Sequence, residues 1–186
     1  MTTVILAGSI NIKRLHPLFI ERLSNIVSSK LDIVVGDANG ADASIQKSLL
    51  AKSAATVTIY CSGFRPRNNV GNWPVQNVFP KESAGTRAYF TAKDQEMAKV
   101  ADYGLMMWDA KSTGTLSNVI ELSKRGKKCV VFVNKDEAFI TVSDIDGLKR
   151  LVNVMSETAR IKAEKKIGLG SKIASVSNEQ FGLPLL

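Results

Sequence analysis

The sequence predicts an α/β protein: a doubly wound, mostly parallel, five-stranded Rossmann-like sheet with helices on both faces. Three observations predict it. Short apolar runs rich in β-branched residues alternate with segments whose apolar residues recur at three- and four-residue steps. The runs are continuous rather than alternating, as strands covered on both faces require. The first two runs stop at glycine, where a strand-to-helix turn begins.

Thr3 to Ala7 (TVILA), ended by Gly8-Ser9, is the first central strand. Leu15 to Ser29 follows as a helix, with Leu15, Phe19, Leu23, Ile26 and Val27 on one face. Asp32 to Val35 (DIVV) is a second strand stopped by Gly36. Gly40 to Lys52 is a second helix, with Ile45, Leu49 and Leu50 turned to the core. Thr56 to Tyr60 (TVTIY) is a third strand. Cys61 to Gly85, with Pro66, Pro74 and Pro80, reads as a long loop of the kind that serves as a lid or binding segment. Arg87 to Val100 is a third helix and Tyr103 to Trp108 a fourth strand. Thr115 to Lys124 is a fourth helix, closed by Gly126 with Lys124 and Arg125 at its end. Lys128 to Val133 is the fifth strand. Beyond Asn134 the pattern weakens, and Asp144 to Lys166 is expected to be helical. Residues 1–135 are therefore read as a Rossmann-like nucleotide-binding domain. Residues 136–186 are read as a basic helical extension packing on it or trailing from it.

The 186 residues suffice for one domain with a sizeable core, and 45% hydrophobic with 23% charged residues is ordinary for a globular chain. No apolar run reaches the roughly 20 residues a bilayer span needs. Met1 to Ile10 lacks the basic start of a signal peptide, so no membrane association is expected. Cys61 and Cys129 show neither metal-ligand spacing nor a disulfide framework, which points to a reducing cytoplasm. His16 is the one histidine, so zinc sites and histidine triads lack material; no metal and no cofactor are expected. The net charge of +8 favours anionic partners, from free nucleotides to nucleic acid. Lys149, Arg150, Arg160, Lys162, Lys165, Lys166 and Lys172 crowd the last quarter, where a solvated helix face explains them better than a dedicated nucleic-acid site.

Ligands of open parallel sheets bind at the carboxyl ends of the strands. Three turns stand there. Gly8-Ser9 lets backbone approach a ligand and adds a hydroxyl, or is a plain turn. Gly36-Asp37-Ala38-Asn39-Gly40-Ala41-Asp42 opens a helix whose free N–H groups suit a phosphate, with Asp42 either bonding ribose or capping its own helix. It is neither a Walker loop nor the G-x-G-x-x-G pattern. Asp109-Ala110-Lys111-Ser112-Thr113-Gly114-Thr115 offers a second anion-binding turn, in which Ser112 or Thr113 is otherwise an N-cap. In the long loop, Arg65 and Arg67 either clamp a phosphate or are solvated, and Trp73 either stacks on a base or pins the loop to the core. Arg87 and Asp94 share a helix face, as part of a site rim or as surface charges.

Taken in order, these residues resemble the SLOG superfamily, named for the DNA-processing protein Smf and the plant Lonely Guy enzymes, and most of all its small YspA-like branch. The pieces are Gly8-Ser9, the turn from Gly36 to Asp42, the helix end Asp94, Met97, Ala101, Asp102, and the turn Trp108, Asp109, Ser112, Gly114, Thr115, together covering Thr3 to Val133. The resemblance implies a Rossmann-like sheet that binds a nucleotide or nucleotide-derived ligand, and homo-oligomers. Some relatives cleave or transfer N-glycosidic bonds, others sense signalling nucleotides, and the Smf branch binds single-stranded DNA. The chain departs from the pattern twice. Asp37 replaces the turn's second glycine, where it would repel a phosphate. Asn118 replaces the catalytic Glu of the hydrolase branches, and an amide is neither nucleophile nor general base.

The expected ligand site is therefore Gly8, Ser9, Gly36, Asp37, Asn39, Gly40, Asp42, Arg87, Asp109, Ser112, Thr113, Gly114, Thr115 and Asn118. The leading expectation is a non-catalytic nucleotide-binding module. A nucleotide N-glycosidase or (deoxy)ribosyltransferase is the first alternative, with Glu121, Asp94 or Asp109 stabilising an oxocarbenium-like transition state. A single-stranded nucleic-acid binder using the basic surface is the second.

Overall fold

The computed structural model describes residues 1–181; residues 182–186 of the expected extension lie outside the described residues. Seven strands form one sheet: β1 (Thr3–Gly8), β2 (Asp32–Gly36), β3 (Val57–Ser62), β4 (Val75–Val78), β5 (Tyr103–Trp108), β6 (Lys128–Val133) and β7 (Ala138–Val142). The helices are α1 (Pro17–Ser28), α2 (Ala41–Ala51), α3 (Arg87–Val100), α4 (Thr113–Lys124), α5 (Ile145–Asn153), α6 (Glu157–Ile167) and α7 (Leu169–Phe181).

The strand order is β4-β3-β2-β1-β5-β6-β7, parallel except for the antiparallel β6–β7 pair. From β1 the chain winds outward through β2, β3 and β4, then returns to lay β5 on the other side of β1. The topological switch point is thus between β1 and β5, where a crevice opens at the carboxyl ends of the strands. The register there pairs Gly8 with Met107, which brings Ser9 beside Asp109.

Alternate residues of each central strand enter different cores, the period-two consequence of the pleat. Val4 and Leu6 join Phe19, Leu23, Ile45, Leu49 and Phe132 under α1 and α2. Ile5 and Ala7 join Met97, Met106, Trp108, Leu116 and Ile120 under α3 and α4. This explains why β1 reads as an unbroken apolar run.

Two strands correct the five-stranded expectation. β4 lies inside the long segment read as loop. Its sequence, VQNV, sits between Pro74 and Pro80, and both proline and asparagine are depleted from strands. It forms because an edge strand needs only one partner, and β3 supplies it: Ile59 N donates to Pro74 O at 2.9 Å and Gly63 N to Val78 O at 2.8 Å. β7 follows a polar turn with Glu137 at φ 48° and completes a hairpin with β6. A boundary at 135/136 therefore falls between two hydrogen-bonded strands of one sheet, and Val142, Leu148, Leu151 and Val176 belong to the same core as Leu116. The helical stretch expected from Asp144 to Lys166 is made of two helices, α5 and α6. Asp144 caps α5 by accepting from Gly147 N at 2.7 Å, and Ser156 caps α6 by accepting from Ala159 N at 3.2 Å.

Among the described residues no helix is long and apolar enough to cross a membrane. Cys61 and Cys129 are buried and unpaired with each other.

Candidate functional site

The switch point is closed by a knot of short polar side chains. Ser9 is fully buried. Its Oγ accepts from Asp109 N at 3.0 Å, donates to Asp109 Oδ1 at 3.1 Å and lies 3.3 Å from Thr115 Oγ1. Asp109 Oδ1 also accepts from Lys111 N at 2.9 Å and Ser112 N at 2.6 Å, so this carboxylate is spent on building its own turn. Trp108 Nε1 donates to Ser112 O at 2.9 Å and closes the turn from the core side. Ser112 occupies the N-cap of α4 but makes no side-chain cap bond. The first-turn N–H groups of Thr113, Gly114 and Thr115 have no intrahelical acceptor and present the positive end of the helix to the crevice.

The second turn is built around a buried charge cluster that sequence reasoning missed. Asp37 is buried and held by Arg67, whose Nη2 donates to Oδ1 at 2.8 Å and whose Nε and backbone N donate to Oδ2 at 3.1 and 3.0 Å. Lys93, on α3, is also buried; its Nζ lies 2.8 Å from Asp94 Oδ1 and 3.9 Å from Asp37 Oδ1. Burial pushes the Asp37 carboxyl up, but the Arg67 bonds and Lys93 outweigh it and hold it below the usual range. Burial likewise pushes Lys93 down, and Asp94, Asp42 and Asp37 together reverse this and raise it. The feared repulsion between Asp37 and a phosphate is thus corrected: the carboxylate is neutralised in place and does not line the crevice.

Asp42 sits in the first turn of α2 and is not its cap; Gly40 is. Its Oδ1 accepts from Gly8 N at 3.2 Å. Burial raises its pKa from 3.8 to about 6; Lys93 opposes the rise and Asp94 adds to it. Gly36 is required by this cluster, since a Cβ there would stand 2.5 Å from Asp42 Oδ2 and 2.6 Å from Lys93 Nζ. Gly40 adopts φ 78°, and a side chain there would collide with the backbone of Ile10. Asn39 is exposed and accepts from Asn68 Nδ2 at 2.9 Å, tying the long loop to this turn.

Between the two turns lies a cleft of about 440 Å³, within the range of small-ligand sites. Of the expected site residues it brings together Gly8, Asp42, Arg87, Asp94, Asp109, Ser112, Thr113, Gly114, Thr115 and Asn118. Ser9, Gly36, Asp37, Asn39 and Gly40 lie behind or beside its walls as supports. Six cationic side chains line it, Arg67, Arg87, Lys93, Lys111, Lys162 and Lys166, against the carboxylates Asp42, Asp94 and Asp109. Arg87 Nη1 is buried and, among the described residues, has no hydrogen-bond partner. Lys162 and Lys166 come from α6, four residues apart and hence on one helix face. Both are exposed, as the expected solvated face requires, and they stand at the border of the cleft.

Glu121 lies outside this cleft. It lines an adjoining pocket of about 120 Å³ that shares Arg87, Thr91, Asp94 and Asn118 with it. There it pairs with Lys124 at 3.9 Å and Arg125 at 3.6 Å on its own helix. Of the three carboxylates expected to serve catalysis, Asp94 and Asp109 line the main cleft and Asp94 and Glu121 the adjoining pocket. Trp73 pins the loop: its Nε1 donates to Ala54 O at 3.2 Å and its ring packs on the α1–α2 core. Arg65 is not part of the cleft lining.

No family model and no curated protein matches this sequence. Solved structures do match the fold. DNA processing protein A from Helicobacter pylori, whose single-stranded DNA binding mode is described as unique, superposes with a TM-score of 0.52 at 19% identity, over 70% of this chain and 64% of that one. DNA processing protein A from Streptococcus pneumoniae gives 0.54 at 18% identity, over 82% of this chain and 54% of that one. This chain thus spans between about half and two thirds of the length of those proteins, and what it shares with them is the Rossmann-like fold.

Proposed function

We propose that this protein binds single-stranded nucleic acid through the switch-point cleft, seating a nucleotide phosphate between the α4 N-terminus and Arg87, without turning the ligand over. The observation that carries the phosphate site is the buried, unpartnered Arg87 Nη1 at the wall of a cleft otherwise rich in cations. A buried guanidinium N–H without an acceptor is costly unless a ligand completes it. A phosphate oxygen is the natural complement, because guanidinium forks match it bidentately and helix N-termini favour negative charge. The preference for a strand over a free nucleotide draws on the fold likeness to a protein that binds single-stranded DNA, and on the net charge of +8. It reverses the order of the sequence-based expectation, and it fits the Smf side of the SLOG resemblance better than the YspA-like branch.

A free nucleotide is the second reading. It is favoured by Lys162 and Lys166, exposed on α6 at the border of the cleft, where they can meet the charge of a small anionic ligand. Absence of turnover is argued from Asn118 at the cleft wall, Asp109 committed to its turn and Asp94 committed to Lys93.

The test is fluorescence anisotropy with a labelled oligothymidylate, competed by mononucleotides, over a range of salt. The expected result is binding whose logarithm falls with log salt at a slope of about 0.7 per phosphate contacted. Tight competition by one mononucleotide would favour the second reading, and no binding of either at low salt would refute both.

A further inference from the structure

We infer that Phe64 and Phe79 form a base-stacking platform beside the cleft, an inference that rests on the single-strand reading above. Phe64 follows the end of β3 and Phe79 the end of β4, on the carboxyl edge of the sheet that also holds the cleft. They are 86% and 61% exposed, and their rings meet edge to face with centroids 5.0 Å apart. Folding has thus left two large aromatic faces in water side by side, which marks a surface meant to be covered.

The pair is held in place. Gly63 N donates to Val78 O at 2.8 Å, and Asn77 Nδ2 donates to Gly63 O at 2.7 Å, so the two loop starts are stapled to each other. Ser62 Oγ donates to Tyr89 O at 2.6 Å and anchors them to α3. A platform fixed in advance loses little freedom on binding.

Its surroundings select a polyanion over an apolar partner. From Cys61 to Lys81 the chain has Arg65, Arg67 and Lys81; Arg67 is paired with Asp37 and Lys81 is followed by Glu82, so Arg65, next to Phe64, is the cation available to a strand backbone. Base faces stack on aromatic rings while neighbouring cations meet the backbone, the arrangement that sequence-tolerant single-strand binders use. The distance also suits it. Phe64 is three residues from Arg67, which lines the cleft, so at most about 11 Å of chain separates them. A strand of a few nucleotides is long enough to span that separation.

The test compares a labelled thymidine dinucleotide, which reaches only the cleft, with an octamer, which reaches both places. The Phe64→Ala/Phe79→Ala variant is expected to lose about 5- to 150-fold in octamer affinity for each base unstacked, with dinucleotide affinity unchanged. Phe64→Trp is expected to keep octamer affinity and to show quenching of the new indole on binding. If the double variant does not fold, Phe64→Leu, which keeps apolar bulk and removes the ring, carries the same comparison. Octamer binding unchanged in these variants but weakened in Arg87→Ala would overturn the platform and leave the cleft reading intact. Wild-type protein that binds neither ligand would overturn both. A variant that retains octamer binding but loses self-association would assign the pair to a protein interface instead.

Discussion

Replacing Asp42 by asparagine is expected to change the pH dependence of stability in a way that isolates one buried carboxyl. Asp42 is 5% exposed, and burial raises its pKa from 3.8 to about 6. Between these values the native state holds a proton that the unfolded chain has released. Stability from this group is therefore complete below about pH 4 and is lost as pH rises through about 6. The gap between 3.8 and about 6 corresponds to about 3 kcal/mol at pH 7.5. The attraction of Lys93 is already contained in that figure, since it is one of the causes that set the value. Asparagine imitates the protonated acid and can still accept from Gly8 N. The variant should match the wild type near pH 4 and exceed it by up to about 3 kcal/mol at pH 7.5. For a chain of this size that is about 6–12 °C in Tm. Urea unfolding followed by tryptophan fluorescence at several pH values measures it. A difference between the two proteins that does not vary with pH, or an asparagine variant less stable at pH 7.5, would refute the reasoning.

Other outcomes follow from the same geometry. Arg87→Ala should weaken oligonucleotide binding about 10- to 150-fold, the value of hydrogen bonds to a charged group, and lower the salt slope, without lowering Tm; anisotropy and thermal melting check both. Arg67→Ala leaves buried Asp37 with Lys93 at 3.9 Å as its remaining cation and should destabilise the fold by about 2 kcal/mol, measured by urea unfolding. That is less than for a fully buried pair because the Arg67 side chain is 37% exposed. Glu121→Gln should leave ligand affinity unchanged, because Glu121 is engaged on its own helix outside the main cleft. Nucleotides incubated with wild-type protein should be recovered without released base by chromatography.

Much of the site was legible because its turns announce themselves locally. A glycine after an apolar run and small hydroxyl residues before a helix mark the positions where backbone N–H groups become free; Gly8 and Ser112 to Thr115 line one cleft, whereas Gly36 and Gly40 lie behind it. Reading the roles of individual charges went less well. Asp37 looked like an obstacle to phosphate, and it is neutralised by Arg67 thirty residues away. Lys93 carried no signal, since a lysine next to an aspartate on a helix is ordinarily solvated. β4 was hidden because Asn77 and the flanking Pro74 and Pro80 disfavour a strand, and the neighbouring edge of β3 overrides them.

The sequence by itself determined the alternation of strands and helices, the parallel central sheet and the positions of the strand-to-helix turns. Each of these follows from the periodicity and backbone freedom of residues close in the chain. The tertiary structure alone decided which charges are buried, which side chains close the cleft and which only support it. Ser9 and Asp109 are one hundred residues apart, and Lys162 reaches the cleft from the far end of the chain. The free energy of a charge or a polar group depends on what surrounds it in space, and no local pattern records that.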